Sequence, residues 1–367
     1  MVDRRLLSHF DWGLFAITFL ICLIGLVLLY SAIHVDDAAS QIVVFYKQLV
    51  WIGFGFVIMF CVSVFNYKHL DKWAPAIYAL SLVLLMCVHF FGRHAGGSTR
   101  WLVLGPFNLQ PSEPVKIAVI IILARYFAHT AQKTGLTFRE LLTPIVLVLI
   151  PFFLVATQPD LGTAGTIVLI AALMMFFSKI ERKTFVILSM VMVLAIPSGW
   201  KILEPYQQER LMTLFSPESD PLGAGYHIRQ SKIAVGSGQM FGKGYLEGTQ
   251  KKLSFLPEQH TDFIFSVLAE EMGFAGSVFL LFMFLLLIAF AVNIASGCRD
   301  AFGTILCVGI AAMIFLQVFI NMAMVMGLMP VVGMPLPLIS YGGSSIFTIF
   351  LGIGLLMNVS MRRFVKQ

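Results

Sequence analysis

Residues 257–265 read Pro257-Glu258-Gln259-His260-Thr261-Asp262-Phe263-Ile264-Phe265, and the apolar run that opens at Phe263 continues to about residue 295. An apolar stretch of about 18 residues or more with few charges reads as a transmembrane helix. This run is too long for one straight crossing, so it is expected to tilt or to extend beyond the bilayer. Ionisable residues at the hydrocarbon boundary are expensive and mark functional positions. Glu258, His260 and Asp262 place three titratable groups within five positions at the mouth of this helix.

The rest of the chain agrees with that reading. Hydrophobic residues make up 59% of the 367 and charged residues 12%, with a mean hydropathy of +0.89. A soluble domain has about twice that charged fraction. The fold expected is an all-α polytopic membrane protein, a single membrane domain over residues 1–367. About ten transmembrane helices fall near 12–31, 44–65, 73–91, 112–130, 141–157, 161–178, 183–200, 263–295, 302–327 and 343–361. Between the seventh and eighth lies a polar insert, residues 201–262.

Charge bias sets the orientation. One set of connections carries Arg4, Arg5, Lys68, Lys72, Lys133, Arg139, Lys179, Arg182, Lys183, Arg299, Arg362, Arg363 and Lys366. The alternate short loops carry Lys47, Arg93 and Arg100 with the acids Asp36 and Asp37. Basic residues concentrate in cytoplasmic loops, so both termini are expected in the cytoplasm and the 201–262 insert outside, as one large extracytoplasmic loop. The net charge of +6 is then largely a matter of topology and calls for no nucleic-acid partner. Five cysteines lack metal-ligand spacing, and all but Cys298 sit in apolar runs as small apolar residues.

Three outer segments are rich in Gly and Pro: residues 96–113, 158–163 and 333–343. Irregular backbone at membrane depth survives only where protein buries it or a watery cavity faces it. An outward-facing cavity is therefore expected. Several side chains near these segments have two readings. Asp262, with Thr261, is either a helix cap or a general base. Glu113 and Lys116 share a helix face, either as a local ion pair or as a substrate contact in which Glu113 orients Lys116. Pro114 suits a first helical turn. Asp160 caps the sixth span or faces substrate. Arg100, beside Trp101, is an interfacial anchor or grips a phosphate. Glu270 and Glu271 lie two turns into the eighth span, about 12 Å along its axis, and as neighbours on a helix they need separate partners. Gly236-Ser237-Gly238-Gln239-Met240-Phe241-Gly242-Lys243-Gly244 lacks the strand and the Gly-Lys-Ser/Thr ending of a nucleotide loop. It reads as a flexible loop with a phosphate-friendly lysine. Glu258 and His260 suit acid–base work or cation binding, without a specific metal signature. The residues alone point to an outward-facing membrane enzyme or transporter for an anionic lipid.

Five ordered motifs resemble the SEDS (shape, elongation, division, sporulation) family across nearly the whole chain. They are Arg100-Trp101 with Gln110-Pro111-Ser112-Glu113 and Lys116; Gln158-Pro159-Asp160-Leu161-Gly162-Thr163; the Gly236–Gly244 run; Pro257 to Phe265; and Pro335-Leu336-Pro337-Leu338 with Ser340-Tyr341-Gly342-Gly343. Gln239 and Met240 stand where the family has Gly and Leu, and Pro114 where an aliphatic residue is common. Length and the short N-terminus are closer to the elongation branch than to the division branch. The resemblance implies a peptidoglycan glycosyltransferase that polymerises lipid II on the outer face of the cytoplasmic (inner) membrane. It also implies a membrane complex with a class B penicillin-binding protein and the elongation machinery. The acid at the position of Asp262 would be catalytic, and the Glu113–Lys116 pair would belong to the cavity.

The chemistry fits that inventory. A lipid pyrophosphate is already a good leaving group and needs charge compensation by Lys, Arg or a divalent cation such as Mg2+ or Mn2+. The acceptor hydroxyl is a poor nucleophile and needs a base. Arg100, Lys116 and Lys243 are the expected pyrophosphate contacts, with Glu113, Asp160, Glu258 and His260 as further substrate-binding candidates. No cofactor or metal is fixed by the sequence. A lipid II flippase is the rival reading, with Glu113, Lys116, Glu270 and Glu271 along a headgroup path; a scaffold for the penicillin-binding protein is a third.

Overall fold

The computed structural model describes residues 10–34, 39–95, 98–104, 107–130, 135–178, 205–215, 224–249 and 260–363, with isolated positions between 181 and 190. In chain order the elements are α1 (Trp12–Ile33), α2 (Ala39–Val64), α3 (Lys68–Phe91), β1 (Arg93–Ala95), β2 (Ser98–Leu104), β3 (Phe107–Leu109), α4 (Ser112–Thr130), α5 (Phe138–Ala156), α6 (Leu161–Phe177), α7 (Pro205–Phe215), α8 (Ala224–Ser237), α9 (Ile264–Gly297), α10 (Ala301–Val325) and α11 (Gly343–Arg362). Seven of them are long and apolar enough to cross a membrane, and the protein is a polytopic helical membrane protein. Nine of the ten expected spans coincide with a described helix. The expected span at 183–200 lies almost entirely outside the described residues.

Local chemistry sets the helix starts. Asp11 caps α1 through Leu14 N at 3.1 Å, and Asp300 caps α10 through Gly303 N at 3.1 Å. Glu140 reaches back to Thr137 N at 2.8 Å ahead of α5, one arm of a capping box. Pro114 lies in the first turn of α4, where its missing N–H would have had no helical partner.

The helices then sort by exposure. α10 and α11 are buried over most of their surface, whereas α2, α3 and α5 turn much of theirs outward. Phe19, Phe54, Leu80 and Phe153 are among the exposed apolar side chains, as expected where the solvent is lipid. Small residues bring helices close. The Phe350 ring of α11 lies on Gly55 of α2, 2.2 Å from where a Cβ would stand, and Gly354 lies against the backbone of Met59.

Three features depart from the expected picture. The Gly-rich stretch after α3 is an ordered three-stranded antiparallel sheet, β1-β2-β3, with Arg93 opposite Trp101 and Val103 opposite Asn108. The 201–262 insert contains α7 and α8, and α8 packs on α9 and α10. Its other residues lie partly outside the described set. Finally, α9 breaks at Gly273 (φ 66°, ψ −158°). Residues 263–271 are buried without interruption, and exposed side chains begin beyond the break. Its length is thus divided between a protein-enclosed head and an outward-facing span.

Candidate active site

The turn that carries Asp262 is clamped through its backbone. Three successive carbonyls accept from groups distant in sequence: His260 O from Tyr341 N at 3.0 Å, Thr261 O from Ser340 Oγ at 2.5 Å, and Asp262 O from Asn321 Nδ2 at 2.9 Å. Asn321 Nδ2 also donates to Met334 O at 2.6 Å, and Ser340 Oγ accepts from Leu336 N at 2.8 Å. Gln48 of α2 donates to Ser340 O at 3.0 Å. The 334–342 loop and the end of α10 therefore fix the chain path at Asp262. Leu338 is held in the left-handed region at φ 63°, a strained conformation of the kind that clusters at functional sites.

Asp262 itself is half-buried. The cap position of α9 falls to Phe263, whose side chain makes no capping bond. Asp262 Oδ2 lies over Gly333, 3.4 Å from where a Cβ would be, and Gly333 takes φ 69°. His260 is also half-buried, its ring 6.0 Å from that of Tyr341. Burial raises the Tyr341 phenol above its ordinary range, with a bond to Trp51 opposing the shift. Glu258 lies outside the described residues.

The loop over Asp262 also meets the second motif. Gly162, in the first turn of α6, abuts Val332 O, 2.6 Å from a hypothetical Cβ, and Thr166 Oγ1 lies 3.2 Å from Met334 Sδ. Asp160 caps α6 through Thr163 N at 3.2 Å, as expected. The same carboxylate faces Arg100 Nη1 at 3.7 Å and accepts from Gln110 Nε2 at 3.4 Å. Arg100 Nη2 donates to Pro159 O at 2.6 Å. The Arg100 side chain remains 20% exposed, and its Nε is buried without a hydrogen-bond partner.

Glu113 and Lys116 do form the pair their spacing predicts. Lys116 Nζ is 2.7 Å from Glu113 Oε1, with side chains 0% and 5% exposed. Glu113 Oε2 and the neighbouring Ser112 Oγ are buried with no hydrogen-bond partner. Ordinary folding leaves few such atoms.

Lys243 sits elsewhere. The Gly236–Gly244 run docks into the break of α9. Lys243 N and Gly244 N donate to Glu270 O and Glu271 O, both at 3.0 Å. Phe274 N and Ala275 N donate to Gln239 O and Met240 O at 2.8 and 3.0 Å. The loop thus takes over the four groups that an unbroken helix would have paired internally. Lys243 Nζ bonds Glu270 Oε1 at 2.7 Å, and Thr249 N and Oγ1 donate to that same oxygen at 2.8 Å. Ser31 Oγ lies 2.6 and 2.7 Å from the two oxygens of Glu271. The two acids have separate partners, as expected of adjacent helical positions. Burial and the charge of Glu271 raise the nearby Tyr245 phenol. The flexible-loop reading is corrected: this is an ordered plug, and Lys243 lies two turns of α9 away from Asp262.

Each of the three expected pyrophosphate contacts therefore faces a carboxylate: Arg100 with Asp160, Lys116 with Glu113, Lys243 with Glu270. Among the described residues no group of three His, Cys, Asp or Glu is placed to hold a metal ion. Beside the start of α11, Trp51, Phe54, Asn108, Leu109, Gly343, Ser344 and Phe347 line an open hollow of about 280 Å³. Ser344 links it to the site, since Gln110 N donates to Ser344 Oγ at 3.0 Å. Asn321 and Gln48 stand outside the sequence motifs, and Ser340 lies within one with no role assigned to it. An Asn set in the apolar 302–327 run was the available signal.

The chain as a whole is similar to known proteins in sequence and fold. A family model described as cell cycle protein, FtsW/RodA/SpoVE, matches residues 11–364. MrdB of Escherichia coli K12, described as a peptidoglycan glycosyltransferase, is 41% identical over 353 residues, covering 94% of this chain and 93% of its own. The rod shape determining protein RodA of Thermus thermophilus superposes with a TM-score of 0.71 at 30% identity, covering 97% of this chain and 98% of that one. A chain from a structure on the coordination of polymerization and crosslinking by a peptidoglycan synthase complex superposes with a TM-score of 0.83 at 31% identity, covering 97% and 99%. By motif order, fold and sequence together, the chain belongs to the FtsW/RodA/SpoVE family, the SEDS proteins.

Proposed function

We propose that the protein is a peptidoglycan glycosyltransferase that polymerises lipid II, with Asp262 as the general base. The observation that carries this reading is the clamped turn: a half-buried carboxylate whose own chain is pinned by three hydrogen bonds from two other segments. A base must be held within hydrogen-bond reach of the proton it takes, and pinning the backbone restricts where its oxygens lie. Its similarity to MrdB, a peptidoglycan glycosyltransferase, supports the same reading.

In the proposed step the 4-hydroxyl oxygen of the acceptor GlcNAc attacks the anomeric carbon of the donor while Asp262 takes the hydroxyl proton. The bond from that carbon to the pyrophosphate oxygen breaks, and the electron pair leaves with undecaprenyl pyrophosphate. Direct displacement inverts the anomeric centre. The base contributes about 10²–10⁴-fold. Arg100 is the best-placed cation for the leaving group, because its guanidinium is partly exposed and its Nε has no hydrogen-bond partner. Lys116 is neutralised by Glu113 and offers the leaving group no net charge. No step is assigned to a divalent cation. The apolar hollow by Trp51 and Phe347 suits a lipid tail near the site. Charge bias supports a site on the outer face of the inner membrane with both termini cytoplasmic. The likeness to a chain of a peptidoglycan synthase complex supports a class B penicillin-binding partner within the elongation machinery.

The test is reconstitution in vesicles with labelled lipid II and the partner, its transpeptidase blocked. Glycan polymer is expected. Movement of lipid II between leaflets without polymer would instead identify a flippase, and neither activity would leave a scaffold.

A further inference from the structure

We infer that Gln317 of α10 binds the N-acetylated sugar head of the substrate, as an amide set between the Glu113–Lys116 pair and the backbone of Asp262. The inference rests on the reading of this site as one that takes a lipid-linked amino sugar.

Gln317 is fully buried, and both Nε2 and Oε1 lack a hydrogen-bond partner. Such a group costs about 1–3 kcal/mol of desolvation, and a Leu or Met there would avoid it. Packing alone gives no reason for an amide at this position. Asn321, four residues on, shares its face. It is also fully buried, it fixes Asp262 O, and its own Oδ1 has no partner.

Helix register shows what lies opposite. A Cβ on Gly309 would stand 2.5 Å from Ile120 Cγ2. One on Gly352 would meet both Met313 Cε at 3.4 Å and Ile117 Cδ1 at 3.6 Å. Positions 309 and 313 of α10 therefore run beside 120 and 117 of α4, antiparallel. One further turn, about 5.4 Å, brings Gln317 level with Glu113. The next turn reaches Asn321, already bonded to Asp262 O. At the level of Gln317, Glu113 Oε2 and Ser112 Oγ are also buried without hydrogen-bond partners.

Unpaired polar atoms thus gather on two facing helices between the buried ion pair and the expected base. They comprise one amide donor, one hydroxyl and three acceptor oxygens. The one charged member of this set, Glu113, is neutralised by Lys116, so the set suits a neutral polar ligand better than a phosphate. A carboxamide offers N–H and C=O together, the complement of an acetamido group.

The experiment is equilibrium binding of labelled lipid II to the purified full chain in nanodiscs, for wild type and Gln317→Met. An analogue with hydroxyls in place of the acetamido groups is titrated in parallel, and thermal stability is recorded for each protein. Gln317→Met is expected to weaken lipid II binding about ten-fold or more with no fall in Tm. The wild type should bind the analogue about as weakly as the variant binds lipid II, and the variant should lose little more on the analogue. Affinity within three-fold of wild type overturns the inference, as does equal weakening toward both ligands. A lower Tm with unchanged affinity assigns Gln317 to the fold instead. Because binding is read rather than turnover, the polymerase reading can fail, showing binding without polymer, while this inference stands.

Discussion

The Glu113–Lys116 pair allows fold and function to be separated. Replacing Lys116 with Met leaves a carboxylate that is 5% exposed, with one oxygen stripped of its 2.7 Å partner and the other already unpartnered. Removing one member of a buried ion pair costs about 3–5 kcal/mol, whereas replacing both with apolar residues is often neutral or stabilising. With an unfolding entropy of about 2 cal/mol/K per residue over 367 residues, that cost corresponds to a Tm lower by about 4–7 °C. Helices that persist in the unfolded membrane state reduce that entropy and enlarge the shift. Glu113→Leu with Lys116→Met should recover wild-type Tm within about 2 °C, and polymerisation should remain absent. Detergent-micelle melting and the vesicle polymer assay read the two effects. Equal Tm losses in the single and double variants would refute the coupling, and full activity in the double variant would refute any role of the pair in the cavity.

Other consequences follow from the same contacts. Gly273→Ala puts a Cβ 2.3 Å from Gly242 N in a conformation that costs about 1–3 kcal/mol without glycine. It should lower Tm and open residues 238–249 to proteolysis, whereas Gly53→Ala, with nothing within 4 Å, should not. Lys243→Met should destabilise by about 1–3 kcal/mol, less than at Lys116, because the lysine is 28% exposed and Thr249 still donates to Glu270; adding Glu270→Gln should restore Tm. Asp160→Ala removes the cap of α6, a loss of about 1 kcal/mol, and frees Arg100. Initial polymer rates should fall more than that small stability loss explains, while unchanged rates would confine Asp160 to capping.

How much was legible depended on sequence distance. Spans were readable because apolar length is a local property, and Glu113–Lys116 because three residues on a helix is a spatial neighbourhood. Capping by Asp160, one of its two readings, was legible from its place ahead of α6, yet its ion pair with Arg100 crosses sixty positions and two motifs. The excess length of α9 was legible and was read as tilt or extension, whereas the break at Gly273 was not. Gly273 becomes a break only because Gly238 and Gly242 let a distant loop supply the missing hydrogen bonds. The loop that carries Lys243 was read as flexible for the same reason, since a Gly-rich run looks mobile until its docking surface is known. The clamp on residues 260–262 was invisible because backbone carbonyls carry no sequence signal; only Asn321, polar inside an apolar helix, pointed toward it.

If Asp262 takes the acceptor's proton, removing its basicity must slow bond formation itself. The most direct measurement is the single-turnover rate of glycan bond formation for wild type and Asp262→Asn, each bound to the penicillin-binding partner at saturating lipid II. Asparagine keeps the size of the side chain and the clamped backbone but cannot accept the proton. The variant's rate should be lower by about 10²–10⁴-fold with Tm and partner binding unchanged. A rate within a few-fold of wild type would contradict that role of Asp262.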